Sequence, residues 1–366
     1  MASTHHKNGI SRYLVAACLL GSWLAGCTTV GPNTIRSGRM AYNDAIAETN
    51  NQQLLRAVVD NRYSERGNLL AVASVTANVR VRTSTGVQLG FGDSDDYAGN
   101  LVPFSAGAVY EENPTISYVP VEGEKYTAQL FSPVPVPVVA RFAGTLTDSA
   151  YIFTALISSV NGIRNPDFQF SAAEPDERFE RFVEIMTKLT RMQRLYWIQD
   201  PQRASRFSIV IDQYAPAYSA EVSELLELLG LHPTKHPSAQ VVLPVFLALD
   251  GRASGGVGII TRSVWDLVEI LSAAIEVPED HLHNGIAASY PSSGLVGKEL
   301  RIHRSKDRPK HAAVAVNYRD GWFYIDDTDL ASKRYFRLMG ALWSAAIAKS
   351  TTKGSAAPVL TVPVSR

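Results

Sequence analysis

A run of twelve mostly apolar residues near the start of the chain, Leu14–Ala25, most constrains what this sequence can fold into. It follows a polar start whose only formal charges are Lys7 and Arg12. A membrane-spanning helix needs about 20 apolar residues, so this run is too short to cross a bilayer, but it matches the hydrophobic region of a signal peptide. We therefore predict that residues 1–26 are a targeting segment and take no part in the folded body.

The residues that end this run carry a resemblance. Leu24-Ala25-Gly26-Cys27 resembles the lipobox of bacterial lipoproteins, which implies cleavage before Cys27 and acylation of its thiol and new amine. Two or three acyl chains exceed the two signals that stable anchoring needs, because each buried CH₂ contributes about 0.8 kcal/mol. Thr28 stands where enterobacterial-type inner-membrane lipoproteins have Asp, which implies the periplasmic side of the outer membrane. The alternatives are an ordinary secretory signal with a coincidental cysteine and a short buried helix at the N-terminus.

Cysteine content and charge exclude several classes of function. The chain of 366 residues has two cysteines, of which Cys18 would leave with the targeting segment and Cys27 would carry lipid. The body then has no thiol for a disulfide, a nucleophile or a zinc ligand. Lys+Arg and Asp+Glu number 35 each and 46% of residues are hydrophobic, which indicates a globular chain. A neutral chain is not typical of nucleic-acid binders, so we expect no nucleic-acid partner, and we expect no cofactor.

Alternating helical and strand periodicity predicts a mixed α/β fold. We expect a mixed β-sheet flanked by helices, with a smaller α+β part at the N-terminal end. The predicted parts are the signal at 1–26, a lipidated tether at 27–37, an N-terminal α+β region at 38–165 and a C-terminal α/β region at 166–366. The boundary rests on the polar, turn-rich stretch 161–175.

Individual patterns predict particular elements. Asn50 or Asn51 is predicted to cap the start of a helix. Period-two alternation over Leu69–Phe91 predicts a hairpin, and the apolar run Ser149–Val160 predicts a helix. An apolar stripe from Phe179 to Tyr196 predicts another helix.

The strongest concentration of charge is the basic segment, Arg301–His311. It has five formal positive charges against one negative charge and two histidines. A basic loop of this kind can hold the phosphates or carboxylates of an anionic lipid, a glycan or an acidic envelope protein. The alternative is a solvated hairpin connection between strands at Leu300–Arg304 and Ala312–Tyr318. The candidate binding residues are Arg301, His303, Arg304, Lys306, Arg308 and Lys310.

Carboxylates cluster after the next strand. Asp326 and Asp327 are candidate catalytic or cation-binding residues, because clustered carboxylates can bind Mg²⁺ or Ca²⁺ or share a proton. The alternative is that they cap the following helix. A hairpin turned by Arg319-Asp320-Gly321 would bring His311 close to the Asp326 region.

The sequence contains one His-x-His pattern, at His281 and His283. Alternation in a strand would place both imidazoles on one face, as in several zinc sites, with Glu279 or Asp280 as a third ligand. The alternative is a short surface turn before Gly285.

Known catalytic motifs are absent from the sequence: it has no G-x-S-x-G, H-E-x-x-H, Walker A or G-x-G-x-x-G pattern. Three stretches of the body resemble a proteobacterial outer-membrane lipoprotein family of no known activity: Ile35-Arg-Ser-Gly-Arg, Glu112-Asn-Pro-Thr-Ile-Ser-Tyr-Val-Pro and Arg301-Ile-His. The sequence thus predicts a membrane-anchored, periplasm-facing lipoprotein that is a binding or scaffold component of the cell envelope. The alternative is a metal-dependent or hydrolytic enzyme acting on envelope material.

Overall fold

A computed structural model describes most of the chain, in fifteen ranges. These are 30–65, 67, 70–76, 79–86, 105–112, 115–121, 123–144, 149–165, 176–203, 206–212, 219–232, 240–248, 255–290, 299–351 and 360–363. The predicted targeting segment, residues 1–26, and Cys27 lie outside the described residues.

Nine helices are described. They are α1 (Val30–Arg62), α2 (Glu124–Phe131), α3 (Val136–Ala143), α4 (Ser149–Leu156), α5 (Glu177–Arg191), α6 (Ser219–Leu228), α7 (Val264–Ala273), α8 (Glu279–His283) and α9 (Leu330–Thr351). None of the helices in these ranges combines the length and the apolarity required to cross a bilayer.

Fourteen strands are described. They are β1 (Leu70–Thr76), β2 (Val79–Gly86), β3 (Ser105–Glu112), β4 (Thr115–Pro120), β5 (Ile157–Val160), β6 (Ile163–Arg164), β7 (Leu195–Gln199), β8 (Phe207–Asp212), β9 (Gln240–Leu247), β10 (Val257–Thr261), β11 (His303–Ser305), β12 (Ala312–Tyr318), β13 (Gly321–Asp326) and β14 (Leu360–Pro363). The mixture of helices and sheets confirms the predicted α/β class.

The chain forms two compact units, Met1–Gln53 and Leu54–Arg366. The described part of the first unit is helical and belongs to α1. α1 passes through Asn50 and Asn51 without a break, so the predicted helix start there is wrong. Asparagine costs an α-helix well under 1 kcal/mol, and tertiary context easily overrides that preference.

The described strands of the second unit form four sheets. Their orders are β1-β4-β14, β6-β5-β10-β9-β8-β7, β11-β13-β12 and β2-β3. β1 pairs with β4 and β2 pairs with β3, so β1 and β2 do not form a hairpin with each other. The predicted hairpin over Leu69–Phe91 turns at Gly86, and residues 87–91 lie outside the described residues. The six-stranded sheet contains strands from both sides of residue 165, and the predicted region boundary therefore falls within one sheet. Its β9 and β10 run parallel and its other pairs are antiparallel.

Two predicted helices end earlier than their apolar patterns indicate. α4 stops at Leu156, because Ile157–Val160 pairs with β10 and β6 instead of continuing the helix. α5 stops at Arg191, and Tyr196 lies in β7. In both cases the apolar residues are as compatible with a strand as with a helix, so periodicity alone does not determine where the helix ends.

The three-stranded sheet β11-β13-β12 positions the basic segment. β12 and β13 form the predicted hairpin, and Tyr318 pairs with Gly321 across a turn in which Arg319 has a φ of 50°. β11 pairs with β13 on its other side, so β11 and β12 are not neighbours. The expectation of a hairpin connection between these two strands is therefore wrong: the basic segment crosses the end of β13. Phe323 and Ile325 of β13 are buried and fix this sheet to the core.

Candidate functional site

The first part of the basic segment is held against one acidic residue. Glu276, which follows α7, accepts a hydrogen bond from the backbone N–H of Arg304 at 3.2 Å. One of its carboxylate oxygens lies 3.0 Å from Nδ1 of His303 and 4.0 Å from Nε of Arg301. Two of the candidate binding residues, Arg301 and His303, thus have a counter-charge within the chain.

The second part of the basic segment is different. Lys306, Arg308 and Lys310 are exposed, and none of them forms an ion pair with an acid in the part of the chain that the structure describes. The guanidinium of Arg308 lies 5.4 Å from the centroid of the Trp322 ring, a cation–π contact. This second part of the segment therefore presents three cations to solvent, and one of them, Arg308, is oriented by an aromatic ring.

Arg304 lies between these two parts and is half-buried. Its guanidinium is 3.0 to 3.1 Å from the place where a Cβ would stand at Gly321. Burial raises the pKa of Tyr63, and the positive charge of Arg304 is the largest influence that opposes this rise. The Tyr63 hydroxyl is hydrogen-bonded to Nδ1 of His281, with 2.9 Å between the two atoms. Tyr63 thus contacts one of the histidines that the sequence singled out, and the charge of Arg304 influences the pKa of Tyr63.

The two histidines do not share a face. α8 is a short helix in which successive residues are turned by about 100°, so His281 and His283 point about 200° apart. His281 packs against Tyr63 with the ring centroids 5.6 Å apart, whereas His283 is exposed. In the described ranges, no three His, Cys, Asp or Glu side chains are grouped so that they could hold a metal ion.

The carboxylate of Asp326 closes a local turn. It accepts hydrogen bonds from the backbone N–H of Thr328 at 2.8 Å and from the Thr328 hydroxyl at 2.6 Å. These bonds are the main reason that the pKa of Asp326 lies below its usual value, and the charges of His303 and His311 add to the effect. The predicted proximity of His311 to this end of the hairpin is confirmed, because its carbonyl accepts the backbone N–H of Asp327.

The neighbouring carboxylates are also occupied. Asp329 accepts a hydrogen bond from the backbone N–H of Ser332 at 3.0 Å, which caps α9. Asp327 pairs with Nζ of Lys333 at 2.6 Å. The cluster thus serves the turn and the helix start: Asp329 caps α9, whereas Asp326 and Asp327 bind Thr328 and Lys333.

Sequence reasoning missed Glu276 and Tyr63. Glu276 reaches His303 from 27 positions away, and Tyr63 reaches His281 from 218 positions away. A lone glutamate after a helix and a lone tyrosine at the end of another have no motif that would have identified them.

The arrangement is suited to electrostatic recognition. Lys306, Arg308 and Lys310 are exposed and lack acidic partners in the described ranges. The carboxylates of Asp326, Asp327 and Asp329 are engaged by groups of the chain itself. Comparison of the sequence and the structure with protein-family models, curated proteins and solved structures gives no match in any of the three.

Proposed function

We propose that this protein is a lipoprotein anchored to the periplasmic side of the outer membrane that binds an anionic component of the cell envelope. The basic segment is the contact surface, and the protein serves there as a binding or scaffold component. The observation that carries the proposal is the exposure of Lys306, Arg308 and Lys310 without acidic partners in the described chain.

The sheet supports this role by holding the cations in place. The basic segment contains β11 and is followed directly by β12, and both strands pair with β13. A segment fixed at both ends loses less conformational freedom on binding than a free tail does. Clustered like charges also steer an oppositely charged partner toward the surface.

The chemistry favours phosphate or carboxylate ligands. The guanidinium of Arg308 lies near the Trp322 ring, and a planar guanidinium can present two parallel N–H groups to one phosphate or carboxylate. Anionic glycans, lipid head groups and acidic envelope proteins carry such groups. The lipobox resemblance at Cys27 favours a membrane location, and anchoring there raises the effective concentration of the segment near these partners.

We do not extend the proposal to catalysis. The carboxylates of Asp326 and Asp327 are taken up by Thr328 and Lys333, and no feature of the described residues favours a reaction at them.

A charge-loss variant tests the contact surface. The variant combines three substitutions in the full chain: Lys306→Gln, Arg308→Gln and Lys310→Gln. Its partners are captured by cross-linking in membranes at increasing concentrations of NaCl. The matched control removes three exposed cations from helices elsewhere: Lys125→Gln, Arg141→Gln and Arg337→Gln.

We expect the wild type and the control to recover the same partners, with recovery falling as salt shortens the Debye length from about 10 Å at 0.1 M to about 3 Å at 1 M. The variant at the basic segment should lose these salt-sensitive partners already at low salt. Equal recovery by the two triple variants would reject the basic segment as the contact surface. Sedimentation with anionic and neutral vesicles then separates a lipid ligand from a protein or glycan partner.

A further inference from the structure

Arg62, the last residue of α1, is a buried cation of which the proposed function makes no use. It is 6% exposed, and its Nε and Nη1 atoms have no hydrogen-bond partner within the described part of the chain. Its guanidinium carbon lies 4.9 Å from the centroid of the Tyr290 ring. Burial lowers the pKa of Arg62, and the influences that oppose this come from Tyr290 and Tyr63 and not from a carboxylate.

The other buried arginine of the described residues is satisfied by the chain. Arg262 is 5% exposed, and its Nη1 donates to three backbone carbonyls. The acids nearest to Arg62 in sequence are already engaged: Asp60 pairs with Arg56 at 2.6 Å, and Glu65 pairs with Arg319 at 2.6 Å. Arg62 therefore differs from Arg262, because two of its guanidinium nitrogens have no hydrogen-bond partner in the described ranges.

A buried cation without a partner is strongly unfavourable, and an arginine does not escape this cost by losing its proton. A counter-anion removes the cost. A guanidinium next to an aromatic ring is suited to one class of anion, because its N–H groups match the oxygens of a carboxylate or a phosphate.

We propose that Arg62 is the principal binding residue of an anion site that takes a carboxylate or phosphate group, with Tyr290 supporting the guanidinium. Ser64, two residues after Arg62, and Ser289, next to Tyr290, are both exposed. The backbone N–H of Ala288 donates to the carbonyl of Arg62 at 2.8 Å and holds this stretch of chain beside the end of α1. The site uses no residue of the basic segment.

Thermal unfolding of the purified full chain tests the site. The melting temperature is measured in sodium phosphate and in sodium acetate, each against sodium chloride of equal ionic strength. We expect at least one of the two anions to raise the melting temperature of the wild type by on the order of 2 °C. Arg62→Met should lose this increase and should melt higher than the wild type in chloride alone, because the unpaired charge is gone. Lys310→Met, which removes an exposed cation of the basic segment, should keep the increase.

Three results would overturn the site: no anion-specific increase in the wild type, an increase that persists in Arg62→Met, or an increase that Lys310→Met abolishes. If Arg62→Met does not fold, Arg62→Lys replaces it, since lysine keeps the charge but loses the forked geometry. We expect that variant to bind the anion about tenfold more weakly, and unchanged affinity would equally reject the site. Loss of partners by the basic-segment variant is a separate result. The anion site at Arg62 and the contact surface at the basic segment are therefore tested independently.

Discussion

Replacing Arg262 by methionine perturbs the point where α4 gives way to β5. Arg262 follows β10 and is almost fully buried. Its Nη1 atom donates to the carbonyls of Thr154 at 2.6 Å, Ala155 at 3.0 Å and Ile157 at 3.1 Å. A cation at the last carbonyls of a helix also interacts favourably with the helix dipole. The side chain therefore satisfies the carbonyls that the helix end leaves free.

The structure sets the size of the expected effect. A hydrogen bond from a charged donor contributes about 1.5–3 kcal/mol, and the two N–H groups of one nitrogen give about 3–6 kcal/mol in total. Asn165 Nδ2 also donates to the carbonyls of Thr154 at 2.8 Å and Ile157 at 2.7 Å, so these two keep a partner. Methionine additionally removes the cost of burying a charge. We therefore expect Arg262→Met to lower the free energy of unfolding by about 3 kcal/mol.

Urea denaturation followed by tryptophan fluorescence measures this free energy, and hydrogen exchange locates the change. Exchange should rise in peptides covering residues 149–165. The matched control is Arg141→Met, which removes an exposed arginine from α3 and should change the free energy of unfolding by no more than about 0.5 kcal/mol. A loss below about 1 kcal/mol at Arg262, or faster exchange that spares residues 149–165, would refute this account of the junction.

Three further predictions concern single side chains. Burial raises the pKa of Asp60, so the folded state favours the protonated carboxyl. The stabilisation of the fold by this protonation is complete below the unfolded pKa of about 4, and it is lost as pH rises through the folded pKa. Asp60→Asn should therefore be at least as stable as the wild type at pH 7, despite the loss of its pair with Arg56. The difference in free energy of unfolding between the two proteins should shrink at low pH. Urea titrations at pH 7 and at low pH measure this difference, and clear destabilisation of Asp60→Asn at pH 7 contradicts the reasoning. Asp329→Ala should lower the free energy of unfolding by about 1 kcal/mol, because α9 loses its cap. An unchanged urea midpoint would show that this cap does not stabilise the protein. Cys27→Ser should abolish incorporation of radioactive palmitate, whereas label retained by the variant would reject the lipid anchor.

Short-range patterns account for what the sequence predicted well. β12 and β13 follow from alternation on both sides of Arg319-Asp320-Gly321, and the observed register confirms that hairpin. The capping interpretation of the carboxylates is supported by Asp329, which sits three residues before the N–H that it accepts. Each of these contacts lies within a few residues, where spacing along the chain fixes the geometry.

The basic segment shows where such reasoning stops. Its charge count was evident from the sequence, but all five cations counted equally there. The structure divides them, because Glu276 lies beside Arg301 while Lys306, Arg308 and Lys310 are exposed without acidic partners in the described ranges. The choice of residues for the proposed contact surface depends on that division.

By itself, then, the sequence determined the α/β class, the hairpin of β12 and β13 and the existence of a concentrated basic segment. Tertiary structure alone decided that β1 pairs with β4, that one sheet runs across residue 165 and that α4 ends at Leu156. It also decided that Nε and Nη1 of the buried Arg62 have no hydrogen-bond partner in the described ranges. The physical reason is that strands recognise one another through backbone N–H and C=O groups, which nearly every residue carries, so long-range pairing has no side-chain signature. A side chain such as Arg262 acquires its role only when pairing brings carbonyls from more than 100 positions away to its nitrogen atoms.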